Sequence, residues 1–282
     1  MKKKVFIFFA FLILLNYLSW GVLFSLRGAE LEVVFIDVGQ GDATLIKTPQ
    51  GHRILIDGGP GEVVLETLGR EMLFYDSIDL IVLTHPHYDH ISGLVEVLRR
   101  YNVEEILYTG VREDSQVFHR WEEEVDSYRT ARAGMRISAN DFHMDILYPF
   151  ESLEDEYIDD SNSTSIVSRF VFGDYSFLFT GDAYAAQEKE ILSKKEWCKD
   201  NVDPVCRVME VSSTVLKAGH HGSKTSTSEE FLLEVSPQMV IISAGTDNRY
   251  GHPHREVIDL LKMYGVTMKR TDRDGDIRVI LP

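Results

Sequence analysis

The chain has 282 residues, 44% of them apolar, enough for one large domain or two small ones. Twenty glycines, eight prolines and two cysteines exclude collagen-like, low-complexity and disulfide-framework classes. The formal net charge is −16, but Lys2, Lys3, Lys4 and Arg27 give residues 1–28 a charge of +4, so the remainder carries 25 basic and 45 acidic residues, a net −20. That balance argues against a broad basic surface that tracks phosphates. It leaves open a phosphate substrate met through bound cations.

The first segment reads as a membrane signal. Three lysines precede an apolar run from Val5 to Leu26, broken only by Asn16 and Ser19. The run approaches the about 20 residues of a bilayer-spanning helix and exceeds a usual signal-peptide core. Ser25 to Gly28 makes a poor cleavage site. Residues 1–28 are therefore expected to be a transmembrane anchor, or alternatively a cleaved signal, with residues 29–282 as one domain outside the membrane.

Residues 31–37 and 43–48 read as strands joined by the tight turn Gly39-Gln40-Gly41-Asp42. Arg53–Ile56 is a third strand, ending at Asp57. A helix suits residues 62–71. An apolar strand at 80–84 runs into His85-Pro86-His87-Tyr88-Asp89-His90, followed by an amphipathic helix at 91–100 and a buried strand at 104–108. Residues 113–131 suit a helix, and 150–162 form an acidic loop.

The second half repeats this plan. Strands 165–172 and 176–180 form a hairpin ending at Gly181-Asp182, followed by helix 183–192. Strand 214–218 ends at His220-His221, followed by helix 228–234 and strand 239–243. Asp57 thus corresponds to Asp182, and His85 to His220. Two such halves imply two facing sheets with helices outside. The second half is longer where Cys198 and Cys206 enclose a short polar loop. These two could pair in an oxidising compartment or stay as separate thiols. Asp272, Asp274 and Asp276 surround Gly275 without calcium-loop spacing and suit a hairpin turn before strand 277–281.

The densest chemistry is the segment from His85 to His90. Imidazoles and a carboxylate on a loop after an apolar strand suit a transition-metal site. His220, His221, His252, His254 and Asp182 lie at comparable strand ends, where ligands gather in such sheets. Asp89, His90, Asp182 and His220 are expected to meet.

At this point the sequence resembles the metallo-β-lactamase superfamily, through His85-x-His87-x-Asp89-His90 and Gly181-Asp182. More narrowly it resembles the extracytoplasmic hydrolase domain of the ComEC competence family. The segments that carry this are residues 35–43, 56–59, 83–85, 179–183, 216–223 and 249–254. The resemblance implies an αββα four-layer sandwich and a hydrolase with two divalent ions, zinc or manganese. It implies His85 and His87 on the first ion, Asp89 and His90 on the second, and Asp182 bridging. His220 would complete the second site. His221 is the alternative, because adjacent strand residues point oppositely, and the repeat favours His220. Where many members carry a further histidine, this chain has Asn162, which puts full occupancy of the first site in doubt and makes Asn162 a candidate for metal or substrate.

The expected chemistry is attack by a metal-activated hydroxide on phosphorus or a carbonyl carbon. Asp89 would orient the nucleophile. His252 would protonate the leaving group or contact substrate. Asp57 would hold the loop by hydrogen bonds, and Asp42 would line the pocket or serve the turn. Lys217, Ser223 and Lys224 would bind an anion or simply be solvated. The expected substrate is a phosphodiester, with DNA as one case. Small esters, phosphocholine-type diesters, lactones or lactams are the alternative, and a noncatalytic metal-stabilised binding module is a third reading. The residues assign no oligomeric state.

Overall fold

The structure, a computed structural model, describes residues 2–26, 30–72, 77–139 and 142–282, without the side chains of residues 2, 6–7 and 20–26. A helix, α1, spans Lys2–Leu26. Among the described residues no helix is long and apolar enough to cross a membrane. The expected membrane anchor is corrected accordingly. Placement of the domain outside a membrane by that anchor loses its basis. Arg27 and Gly28, at the weak cleavage point, lie outside the described residues.

The domain opens with strands β1 (Leu31–Phe35), β2 (Thr44–Lys47) and β3 (Arg53–Ile56), helix α2 (Val63–Glu71) and strand β4 (Ile78–Val82). Helix α3 (Tyr88–Arg100), strand β5 (Val103–Tyr108), helix α4 (Gln116–Glu124) and strand β6 (Arg129–Thr130) complete the first half. The second half runs β7 (Arg136–Ala139), β8 (Phe142–Tyr148), β9 (Val167–Phe172), β10 (Tyr175–Phe179), α5 (Ala185–Trp197), β11 (Val215–Lys217), α6 (Glu229–Val235), β12 (Met239–Ile242), α7 (Arg255–Met263) and β13 (Thr267–Arg270). A single turn, α8 (Thr271–Asp274), leads to β14 (Ile277–Leu281).

Two mixed seven-stranded sheets result, ordered β14-β1-β2-β3-β4-β5-β6 and β13-β12-β11-β10-β9-β8-β7. The repeat read from the sequence holds in the pairing. β3 pairs antiparallel with β2 and parallel with β4, as β10 pairs antiparallel with β9 and parallel with β11. Alternation along each strand sorts side chains into layers. Val33 and Phe35 face the other sheet, together with Ile54, Ile56, Phe177 and Phe179. Val34, Ile36 and Leu55 face α2, α3 and α4. Leu178, Leu216 and Val240 face the helices of the second half. This is the four-layer sandwich.

Three local expectations need correction. The helix expected over 113–131 ends at Glu124, and the chain then extends into β6. The hairpin β7–β8, which the sequence reading left within unassigned loop, edges the second sheet. The acidic turn around Gly275 is not a hairpin: α8 carries the chain from β13 in the second sheet to β14 in the first, where β14 pairs with β1. Cys198 and Cys206 are joined by a disulfide at the end of α5.

One contact sets where the metal-binding segment lies. Ile91, Leu94, Val95 and Leu98 give α3 its apolar face. At Gly93 that helix approaches the loop after β3 so closely that an added Cβ would lie 1.9 Å from the Gly58 carbonyl oxygen. The Gly58 amide donates to the His90 carbonyl oxygen, and the Gly93 amide to that of Gly59, each at 2.8 Å. The first turn of α3, with Asp89 and His90, is thereby locked against the Asp57 loop. Gly93→Ala is expected to cost at least about 1–3 kcal/mol by overpacking and to shift His90. Chemical denaturation alongside metal titration checks this; wild-type stability and metal affinity in the variant would count against the lock.

Candidate metal centre

The candidate residues lie just beyond the carboxyl ends of strands in both sheets. Asp42 follows β1, Asp57 follows β3, and His85 to His90 follow β4. Asp182 follows β10, and His220-His221 follow β11. His85 and His90 are fully buried, and Asp57, Asp182 and His221 are nearly so.

Asp57 is the hub of the first half. Its carboxylate accepts from the Thr84 amide, the Thr84 hydroxyl and Nδ1 of His90, each at 2.8 Å. A carboxylate on Nδ1 fixes the imidazole and leaves Nε2 to face a ligand position. Nε2 of His90 lies 3.5 Å from Oδ1 of Asp182. On His85, Nδ1 faces the hydroxyls of Thr84 at 3.1 Å and Ser165 at 3.4 Å. Ser165 in turn accepts from the Asp182 amide at 3.0 Å. The His87 ring is 4.7 Å from that of His85.

The second half places His221, not the favoured His220, in the cluster. Nε2 of His221 lies 3.4 Å from Oδ2 of Asp89 and 3.5 Å from Oδ2 of Asp182. His220 and His221 are the third and fourth residues beyond β11, and His85 is the third beyond β4. However, His220 and His221 adopt left-handed backbone, with φ of 48° and 55°, so strand alternation does not govern them. Such conformations cost about 1–3 kcal/mol each and concentrate at functional sites. His220 lies at the rim, with Nε2 3.6 Å from Oδ2 of Asp182 and 3.5 Å from Nδ2 of Asn162. Asn162 donates to the Tyr184 hydroxyl at 2.9 Å, and Tyr184 donates to Asp160 at 3.2 Å.

Residue groups able to hold an ion are His85, His90 and Asp182, and Asp89, His90 and His221, with Asp182 also near His221 and Asp42. Nε2 of His85, Nε2 of His90, Nε2 of His221 and Oδ1 of Asp182 are buried without a hydrogen-bond partner among the described residues. Buried polar atoms are normally satisfied. Imidazole nitrogens and a carboxylate left unpaired and converging are the donor set of a divalent transition metal.

The electrostatics agree. Burial opposes ionisation of Asp182, but His221 and His90 hold its carboxyl well below the usual range. Burial likewise opposes ionisation of Asp89, and His221 with His90 outweighs it. Burial lowers His90, but Asp182 and Asp57 push it well above its ordinary value. Burial also lowers His221, while Asp182 and Asp42 push it up to about 10. Burial and the neighbouring His90 depress His85. The carboxylates thus favour the protonated forms of His90 and His221, the charge that a bound cation would supply in their place.

Residues beyond the motif were less legible. Lys217, expected to bind an anion or be solvated, is buried and ion-paired with Asp42. Asn248 holds the His252 segment, accepting from the His252 amide at 2.9 Å and donating to its carbonyl oxygen at 2.7 Å. Gln40 accepts from the Gly245 amide at 3.2 Å and ties that segment to the first half. The His252 ring lies 5.4 Å from His220 and 6.1 Å from His221. Burial, then His221, His220 and His254, hold its pKa down at about 4.

A family model for the metallo-beta-lactamase superfamily matches residues 36–245. The chain is 32% identical over 272 residues to ComE operon protein 3 of Bacillus subtilis (strain 168), covering 89% of this chain and 33% of that protein. It is 34% identical over 258 residues to Recombination protein 2 of Haemophilus influenzae, covering 88% and 28%. The chain therefore spans about a third of the length of these relatives. Its fold is similar to the metallo-beta-lactamase fold protein YhfI from Bacillus subtilis, with a TM-score of 0.55 at 11% identity, covering 90% of this chain and 100% of that one. Fold, donor set and matched sequence together make the chain a member of the metallo-β-lactamase superfamily, whose members are generally metal-dependent hydrolases.

Proposed function

We propose that the protein is a metal-dependent phosphodiesterase with nuclease activity. The observation that carries its hydrolytic chemistry is the convergence of unpaired atoms of His85, His90, His221 and Asp182. The competence and recombination names of its relatives support a nucleic-acid phosphodiester as substrate. In this reading His85 and His87 would hold one divalent ion, Asp89, His90 and His221 would hold another, and Asp182 would serve both. Zinc and manganese both suit these donors. Bound ions would supply Lewis acidity and a water activated near neutral pH. Asp57 locks the His90 ring, and Asp89 orients the nucleophile. His252, neutral at pH 7 with its pKa at about 4, suits a hydrogen bond to substrate better than a stored proton for the leaving group.

The rim beside Asp89 favours a planar substrate group. Tyr88 and Tyr250 are both more than half exposed. Tyr250 stacks on His252 at 5.6 Å, and the Arg249 guanidinium lies 5.0 Å from the Tyr250 ring. Arg249 is held above its usual range mainly by its hydrogen bond to the Tyr250 hydroxyl, with the Asp89 charge adding to it. A cation and an aromatic face at the mouth suit a phosphate and a base.

Three outcomes are expected. Asp182→Asn, with unchanged circular dichroism, lowers hydrolysis of bis-p-nitrophenyl phosphate and of single-stranded DNA by about 10³-fold or more. Diester hydrolysis without DNA cleavage would instead favour small diesters, and hydrolysis of carboxylic esters alone would favour the ester reading. Tyr250→Ala raises KM for single-stranded DNA about 5- to 100-fold, as loss of a stacked base implies, and leaves KM for the simple diester unchanged. Metal loading expels protons from His90 and His221, so affinity rises with pH across the range in which they are protonated. Calorimetry in buffers of different ionisation enthalpy reads that release; proton-neutral binding would contradict it.

A further inference from the structure

Lys217 is the last residue of β11 and is 3% exposed. A buried ammonium is costly unless paired. Its Nζ is ion-paired with the Asp42 carboxylate and donates to the Gly181 carbonyl oxygen at 3.2 Å. Asp42 belongs to the first sheet's β1–β2 turn, whereas Gly181 immediately precedes Asp182 at the end of β10. One ammonium therefore ties together loops from both halves of the molecule.

The pairing reaches the metal cluster through His221. Oδ1 of Asp42 lies 3.3 Å from Nδ1 of His221. The Ser243 carbonyl oxygen faces the same nitrogen at 3.0 Å, and the other oxygen of Asp42 is 4.0 Å from Nδ1 of His90. With Nδ1 held from behind, Nε2 of His221 faces Asp89 and Asp182. The hydrogen bond to Ser243 orients the imidazole as outer partners orient metal ligands, and the Asp42 carboxylate beside it adds its charge.

We propose that Lys217 is a positioning residue of the metal centre: its ammonium fixes Asp42 and the Gly181 carbonyl, and so aims His221 and Asp182 at one ion. The proposal rests on the metal reading above. Without the ammonium, the Asp42 carboxylate is buried without its cation and free to swing from His221, leaving Ser243 alone behind the ring. The Gly181-Asp182 turn loses an anchor at the same time. Among the described residues His85 and His87 make no direct contact with Lys217 or Asp42 and reach this network only through His90 and Asp182, so the larger loss falls on the ion that depends on His221.

Equilibrium dialysis and visible spectroscopy with cobalt(II) test this on the full chain. His221→Ala marks which bound equivalent depends on that imidazole. Lys217→Met is expected to weaken the same equivalent about 10- to 100-fold and to alter its absorption band, with the other equivalent weakened less. The Lys217→Met/Asp42→Asn double variant leaves no unpaired buried charge and is expected to bind no more weakly than Lys217→Met. If Lys217→Met fails to fold, the double variant carries the test by the same loss. Wild-type affinity and spectrum in the variants overturn the role of Lys217 alone. Fully additive losses in the double variant overturn a route through Asp42. A wild-type protein that takes up no divalent ion overturns the metal reading, and this proposal with it.

Discussion

Four carboxylates, Asp42, Asp57, Asp89 and Asp182, converge where the strand ends of two sheets meet, and three of them are almost wholly buried. Buried charges of one sign repel and lose hydration, so each needs a partner within reach. Asp57 has the Thr84 amide and hydroxyl and His90; Asp42 has Lys217 and His221; Asp89 and Asp182 have imidazoles. The left-handed turn at His220 and His221 and the glycine contact under α3 are the backbone conditions for these pairings. Stability and metal binding thus draw on the same groups, and a change to either half of a pair acts on both.

Much of this was legible in the sequence. His85, His87, Asp89 and His90 follow an apolar strand with spacing that few other sites require, and the internal repeat revealed both sheets. Asp57 was read as a supporting residue, and the structure gives it that arrangement of hydrogen bonds. The preference for His220 rested on its alignment with His85 in the repeat, and the expectation that one of the pair binds rested on strand alternation; both residues have positive φ, where alternation does not apply, and both approach Asp182. Nothing in residue identity except the flanking glycines signals that conformation. Lys217 was misread as an anion binder or a solvated side chain because a lysine usually reaches solvent; a lysine closing an apolar strand was the available clue. The turn at Gly275 was misread because a hairpin and a sheet-to-sheet crossing share the same residues.

The charge balance takes on a different meaning beside the site. Part of the acidity is concentrated at the cluster, where cations would neutralise it. The exposed cation Arg249 sits over a tyrosine ring rather than in a basic stripe. A substrate held by the centre and one aromatic face needs no long electrostatic track.

The pairing of β14 with β1 carries a consequence for how the chain is made. Leu31 lies opposite Leu281, and the Asp37 amide donates to Asp276 across 239 residues of sequence. Contacts of such separation demand early loop closure and slow folding. A ribosome must therefore pass residue 281 before the edge of the first sheet can be covered, whereas β1 is exposed almost from the start. Until then β1, paired with β2 along one side, leaves its other edge unpaired and open to pairing with another chain. The interval between the synthesis of β1 and that of β14 is the period in which the nascent protein most needs protection from its neighbours.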